Sequence, residues 1–231
     1  MHQKRLGGRP QASEEHRESD LKRAGGAALP AEWQPAPIPS GPSTGANALL
    51  ILVDGVALYD VDGKPTAGGT NRFVVVAIPA TNPKINASGA MIIGGFAAHP
   101  DGAPGAYKNY TVAEITQERT VRTSGSSPGS ADESWQVRDT SGGTLSVRLT
   151  YDRVMPARTK SESRVYSAEE PTFFRIYRVE QGVDVVKSVV NGTDRVRGYE
   201  FRSTFSKLFD GNEKLISITS IPWYVRQVYL P

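Results

Sequence analysis

The sequence predicts a mainly β fold, an antiparallel β-barrel or sandwich with few helices, behind a disordered N-terminal tail. Three observations carry this. From Ala46 onward, short runs of β-branched and aromatic residues recur, separated by Gly, Asp, Asn and Pro. Thr144 to Tyr151 alternates cleanly, with Leu145, Val147, Leu149 and Tyr151 on one face and Ser146, Arg148 and Thr150 on the other. Helical segments are few, a single turn at Glu169 to Phe174 being the best of them.

The chain of 231 residues divides at a change of texture. Residues 1–45 hold Gly7-Gly8, Gly25-Gly26 and six prolines, and Ser13 to Ala24 is dense in both charge signs with Leu21 as its one large apolar residue. A segment with so little to bury cannot offset its ordering entropy by packing. It is expected to be tail or linker, with Trp33 and Ile38 pinning its end to the domain. Residues 46–231 are expected to form one domain, since all-β domains of about 200–250 residues often stay single.

Within that domain about twelve strands are expected from the spacing of turn signals. Ala48 to Val53 is an apolar run that Asp54-Gly55 turns into Val56 to Tyr59, and Asp62-Gly63 is a hairpin signal. Arg72 to Pro79 reads as a buried strand. Ala90 to Ala98 reads as another, with Gly94-Gly95 marking a bulge or a close backbone approach. Tyr110 to Val121 is a long strand, Thr123 to Ser134 a Ser/Gly-rich loop, Ser134 to Asp139 a short strand, and Ser141-Gly142-Gly143 the turn into Thr144 to Tyr151. Ser163 to Ser167 follows. Phe173 to Glu180 and Val183 to Val190 flank Gln181-Gly182 as a hairpin. Gly198 to Phe205, Lys214 to Ser220 and Trp223 to Leu230 complete the series, with Asn191-Gly192 and Asp210-Gly211-Asn212 as punctuation. Closing such a sheet would leave an interior, and an interior that side chains do not fill is a ligand cavity.

Composition narrows the chemistry. The net charge is +3, and residues 144–231 carry fourteen basic against ten acidic groups, a sparser excess than a nucleic-acid stripe requires. There are no cysteines, so disulfides, thiolate metal sites and cysteine nucleophiles are excluded. No stretch approaches the roughly 20 apolar residues of a membrane span, so a membrane partner is not expected. Met1 to Pro10 lacks the apolar segment of a secretory signal, and the compartment is left undetermined. Of three histidines, only His99 lies in the domain, so a multi-histidine metal site is not expected. No Gly-x-Ser-x-Gly positions a serine beside it. Asp60-Val61-Asp62-Gly63 resembles the start of a calcium loop but lacks the downstream glutamate, and a hairpin turn is the better reading. No cofactor is implied.

Carboxylates, lysines, arginines and tyrosines remain. A lysine near another cation loses its proton more readily and can form a Schiff base. Lys108, between Tyr107 and Tyr110, is the first catalytic candidate. Glu114 is the second. If Tyr110 to Val121 is a strand, Glu114 and Glu118 share a face, and one of them can enter a cavity as acid or base. Arg72 and Arg175 are the binding candidates. The clusters Tyr151-Asp152-Arg153, Arg175-Ile176-Tyr177-Arg178, Arg197-Gly198-Tyr199 and Tyr224-Val225-Arg226 interleave aromatics with arginine, as single-stranded nucleic-acid binders do. With Glu180, Asp194 and Glu200 nearby, cross-strand ion pairs on a solvent face are the favoured reading.

Three features of the C-terminal third resemble the acetoacetate decarboxylase-like superfamily: Gly142-Gly143-Thr144-Leu145-Ser146-Val147 entering a strand; Pro171-Thr172-Phe173-Phe174-Arg175-Ile176-Tyr177, then Gly182 and a strand to Val190; and a last strand closing on Leu230-Pro231. The resemblance implies a closed antiparallel architecture around a small-molecule pocket and chemistry on small keto acids. The decarboxylases use a lysine Schiff base in a Glu-to-Pro-Lys-Lys segment. The corresponding stretch here, Glu114 to Ser127, contains no lysine, so no nucleophile carries over. The expectation is a small-molecule-binding protein, with a divergent enzyme acting on a small carbonyl or carboxylate compound as its catalytic form. A non-catalytic lipocalin-type carrier or interaction module is the alternative, and a single-stranded nucleic-acid binder ranks below both. The expected partner is a small organic ligand, with homo-oligomerisation left open.

Overall fold

In a computed structural model, which describes residues 29–55, 62, 64, 71–98 and 107–230, the chain is mainly β, with no helix among the described residues. None is therefore long and apolar enough to cross a membrane. His99 and nearly all of Asp60 to Gly63 lie outside the described residues, as does the run Val56 to Tyr59.

Thirteen strands share one mixed sheet: β1 (Gln34–Pro35), β2 (Leu49–Gly55), β3 (Asn71–Asn82), β4 (Ala87–Ala97), β5 (Tyr110–Ser124), β6 (Ser127–Asp139), β7 (Thr144–Asp152), β8 (Ala157–Ser167), β9 (Phe174–Ser188), β10 (Thr193–Asp194), β11 (Val196–Ser203), β12 (Ser217–Ser220) and β13 (Tyr224–Tyr229). The path β10-β9-β8-β4-β5-β6-β7-β11 has two ends. The sheet is open, and the expected closure into a barrel is corrected on this point. Nor is it wholly antiparallel: β4 pairs in parallel with both β5 and β8.

The organising element is a fork in β4. One edge of β4 pairs with β3 along its length. The other is divided, with Ala90 to Ile92 pairing with β8 and Gly95 to Ala97 with β5. The two branches cover the two faces of β2–β3–β4. Val74 and Phe96 pack with Ile115, Trp135, Val137, Leu145 and Val147 of the β5–β6–β7 branch. Phe73, Val75, Ala77 and Ile92 pack instead with Tyr107, and with Val165 and Tyr177 of the β8–β9 branch. The strongly apolar, valine-rich β3 is buried on both faces, and that is why its sequence does not alternate.

The Gly94-Gly95 pair does both things expected of it. The register against β3 shifts between Val76 and Ala77, so Val76 meets Gly94 while Ala77 meets Ile92. The extra residue, Ile93, changes the alternation, so that Ile92 and Ala97 face the same side. A Cβ on Gly95 would collide with the Val74 carbonyl and lie 2.5 Å from Tyr110 Cε1.

The end of the tail is pinned to the domain through Trp33 and Ile38, as expected: Trp33 is buried against Tyr166, their ring centroids 4.6 Å apart, and the Ile38 amide donates to the Ala46 carbonyl. The segment also adds a strand to the sheet, β1 pairing with β3. Other local expectations give way. The loop expected at Thr123 to Ser134 is mostly strand, since β6 begins at Ser127 and pairs with β5 through a tight turn. Gln181-Gly182 is no turn: β9 runs straight through it. The helical turn expected at Glu169 to Phe174 is a single hydrogen-bonded turn, the Phe173 amide donating to the Glu170 carbonyl, and Phe174 already opens β9.

Candidate functional site

The densest meeting of aromatic and cationic side chains lies where the β4–β5 corner faces β9 and β13. The corner is fixed by three contacts. Ser167 Oγ, fully buried, donates to the Tyr107 carbonyl at 2.6 Å. Asn109 Nδ2 donates to the Ile92 carbonyl at 2.6 Å. Tyr107 sets its ring edge-on to Phe173, with centroids 5.3 Å apart. Between them Lys108 takes a left-handed φ of 59°, which turns the chain into β5.

Opposite the corner, β9 and β13 are antiparallel neighbours, with Val228 across from Tyr177 and Arg226 across from Val179. Side chains two apart on a strand share a face, so Arg175 and Tyr177 of β9 and Tyr224 and Arg226 of β13 lie on one side of this pair. The Tyr107 and Tyr177 hydroxyls are 2.8 Å apart and share a hydrogen bond. The Arg175 guanidinium lies 5.6 Å from the Tyr107 ring centre and 5.8 Å from that of Phe173. Arg226 lies 5.0 Å from the Tyr177 ring centre and 5.9 Å from those of Phe73 and Tyr224. These are cation–π distances. No ion pair to Arg226 forms among the described residues.

Burial, with Tyr177 beside it, pushes the Tyr107 hydroxyl well above the ordinary tyrosine range, and Arg175 opposes this in part. Tyr110 is raised by burial first and then by Tyr177, with Arg226 and Arg175 both pulling the other way. Both phenols therefore stay protonated at neutral pH and can donate hydrogen bonds. They are not bases there.

The four residues singled out from the sequence do not converge. Arg175 is in the cluster. Lys108 adjoins it through Tyr107, but its side chain is 67% exposed and its amine pairs with Glu170 at 2.8 Å. That is not the desolvated setting in which an imine-forming lysine is found. Glu114 projects outward between the core residues Ala113 and Ile115, across from Arg138. Arg72 pairs with Asp54 at 3.0 Å and reaches the Ile115 carbonyl at 3.5 Å. Among the described residues no group of three His, Cys, Asp or Glu side chains could hold a metal ion.

Tyr110, Tyr177 and Arg226 were not among those candidates. The signal for Tyr177 and Arg226 is the i, i+2 spacing of Arg175 with Tyr177 and of Tyr224 with Arg226. The ion-pair reading of these clusters does hold for their neighbours: Arg178 pairs with Glu162 at 2.7 Å, Arg158 with Glu180, and Arg197 with Asp152 at 2.5 Å.

Two open grooves mark the described surface. One, of about 410 Å³, runs between the β3–β4 turn and β8 past Asn86, Ser88, Glu162 and Arg164. The other, of about 240 Å³, sits at the β5–β6 tip beside Arg122, Asp152 and Arg197. Neither includes the tyrosine–arginine cluster.

No protein-family model matches the chain, and no curated protein matches it either.

Proposed function

We propose that this protein binds a small organic anion, a carboxylate or keto acid, at the cluster of Arg175, Arg226, Tyr107, Tyr110 and Tyr177. The observation that carries the reading is Arg226. It is half-buried among three rings and has no carboxylate in ion-pair range among the described residues. A guanidinium so placed keeps its in-plane N–H donors for an incoming anion while its faces stack on the rings. The protonated hydroxyls of Tyr107 and Tyr110 add neutral donors that do not repel the anion. The ligand would sit at the rim between β13 and the β4–β5 corner rather than in the interior of a barrel.

The reading is one of binding. Lys108 adjoins the cluster as an exposed, ion-paired amine and takes no covalent role in it. The test is calorimetric titration of the full chain with acetate, benzoate and acetoacetate. Saturable one-to-one binding of at least one of these is expected, weakened about tenfold or more by Arg226→Gln, which removes a charged hydrogen bond worth ~1.5–3 kcal/mol. Absence of binding, or binding that Arg226→Gln leaves intact, would overturn the proposal.

A further inference from the structure

We infer that two copies of this chain pair through the outer edge of β13, extending the sheet across a two-fold axis. This strand has one neighbour, β9, among the described residues, and its pairing is unbroken from Tyr224 to Tyr229. Its other edge carries backbone groups with no partner among the described residues, and natural sheets protect such edges with charge, proline, bulges or short length. Another edge strand of the sheet, β11, shows such protection: Arg197, Glu200 and Arg202 lie along it, and its pairing with β7 is bulged between Val196 and Gly198. On β13 the outward face is Val225, Gln227 and Tyr229, all uncharged and exposed, and Leu230 beyond them is 69% exposed. The one charge, Arg226, lies on the opposite face among rings.

The sequence makes a second copy a fitting occupant and discriminates between the two registers centred on the strand, at Arg226 and at Gln227. Residues directly opposite in an antiparallel pair point to the same face. A two-fold axis perpendicular to the sheet must therefore place one residue opposite its own copy. With Arg226 at the axis, two guanidiniums would meet, and like charges directly opposite are destabilising. With Gln227 at the axis, two amides meet and can exchange hydrogen bonds. That register sets Val225 opposite Tyr229 of the second copy, Tyr224 opposite Leu230, and Arg226 opposite Val228. Every cross-strand position is then aromatic–aliphatic, amide–amide or charge–neutral, and each apolar pair occurs twice. The strand is complementary to itself.

Sedimentation velocity on the full chain over a range of concentrations tests association. The chain contains no cysteine, so single cysteines report the register. Gln227→Cys is expected to form a disulfide-linked dimer on mild oxidation. Val225→Cys alone should not, while Val225→Cys mixed with Tyr229→Cys should. Val225 is 65% exposed, so Val225→Lys is expected to leave the melting of the dilute protein unchanged and to raise the dimer dissociation constant about tenfold or more. A monomer at every concentration would overturn the inference and leave this edge to solvent or to a foreign strand. A dimer indifferent to Val225→Lys would place the contact elsewhere. Failure of Gln227→Cys to cross-link would overturn the register.

Discussion

Arg226 and Arg178 sit one residue across from each other's neighbours on β13 and β9, yet their surroundings differ. Arg178, on the outward face, finds Glu162 at 2.7 Å. Arg226, on the inward face, finds rings. From the sequence both belong to the same kind of arginine–aromatic cluster. Which arginine meets a carboxylate depends on the pairing partner and the parity of the register, and neither is local information. The tyrosines beside Arg226 carry a prediction of their own. Tyr107 and Tyr110 hold their protons more tightly in the folded chain than at the usual pKa of about 10 in the unfolded one. Above that pH the unfolded chain releases protons that the folded chain keeps. Their contribution to stability is therefore complete below about pH 10 and is lost as pH rises past it. Spectrophotometric titration of phenolate should show at least two of the nine tyrosines ionising only with loss of the fold. A titration in which all nine ionise while the protein stays folded would contradict the burial of this cluster.

At the scale of elements, strands were legible wherever one face is apolar or both are. The alternation of Thr144 to Tyr151 became β7, with Leu145, Val147 and Tyr151 buried, and the apolar run from Arg72 became β3. The misread elements are those whose punctuation serves another purpose. Gly182 reads as a turn residue in the sequence, but its small size answers to Trp223: an added Cβ would lie 2.5 Å from the Trp223 Nε1, and the Gly182 amide donates to the Trp223 carbonyl. The Ser/Gly-rich stretch before Trp135 has the composition of a loop, yet β6 runs through it because β5 and β7 supply its backbone partners on both sides. Two substitutions separate these roles. Gly182→Ala should destabilise the protein by about 1–3 kcal/mol through overpacking. Gly198→Ala, whose new methyl would meet only Thr150 at 3.8 Å, should be neutral or stabilise by about 0.5 kcal/mol through the unfolded chain. Chemical denaturation of both variants checks this, and equal effects would contradict the packing described at Gly182.

At the scale of the whole molecule, the fold class was readable and the topology was not. Composition and turn spacing imply a layered, mainly β protein, but they do not show that β4 divides one edge between two branches, or that the sheet stays open. Openness leaves free edges, and it replaces an expected interior cavity with a β2–β3–β4 layer packed on both faces. The outer surface is laced by cross-strand pairs. Arg122, Arg158 and Lys187 hold Asp132, Glu180 and Asp194 respectively below the usual carboxylate range. These pairs are exposed and weakened by salt. Against that balanced surface, the tyrosine–arginine cluster is marked by Arg226, half-buried among three rings with no carboxylate in ion-pair range among the described residues. The most direct measurement of its role is side-chain nitrogen NMR of the arginines during titration with benzoate. The account predicts that the Arg226 and Arg175 Nε–Hε signals move and saturate together while those of Arg158 and Arg178 hold still. Unmoved Arg226 and Arg175 signals, or shifts confined to the ion-paired arginines, would contradict it.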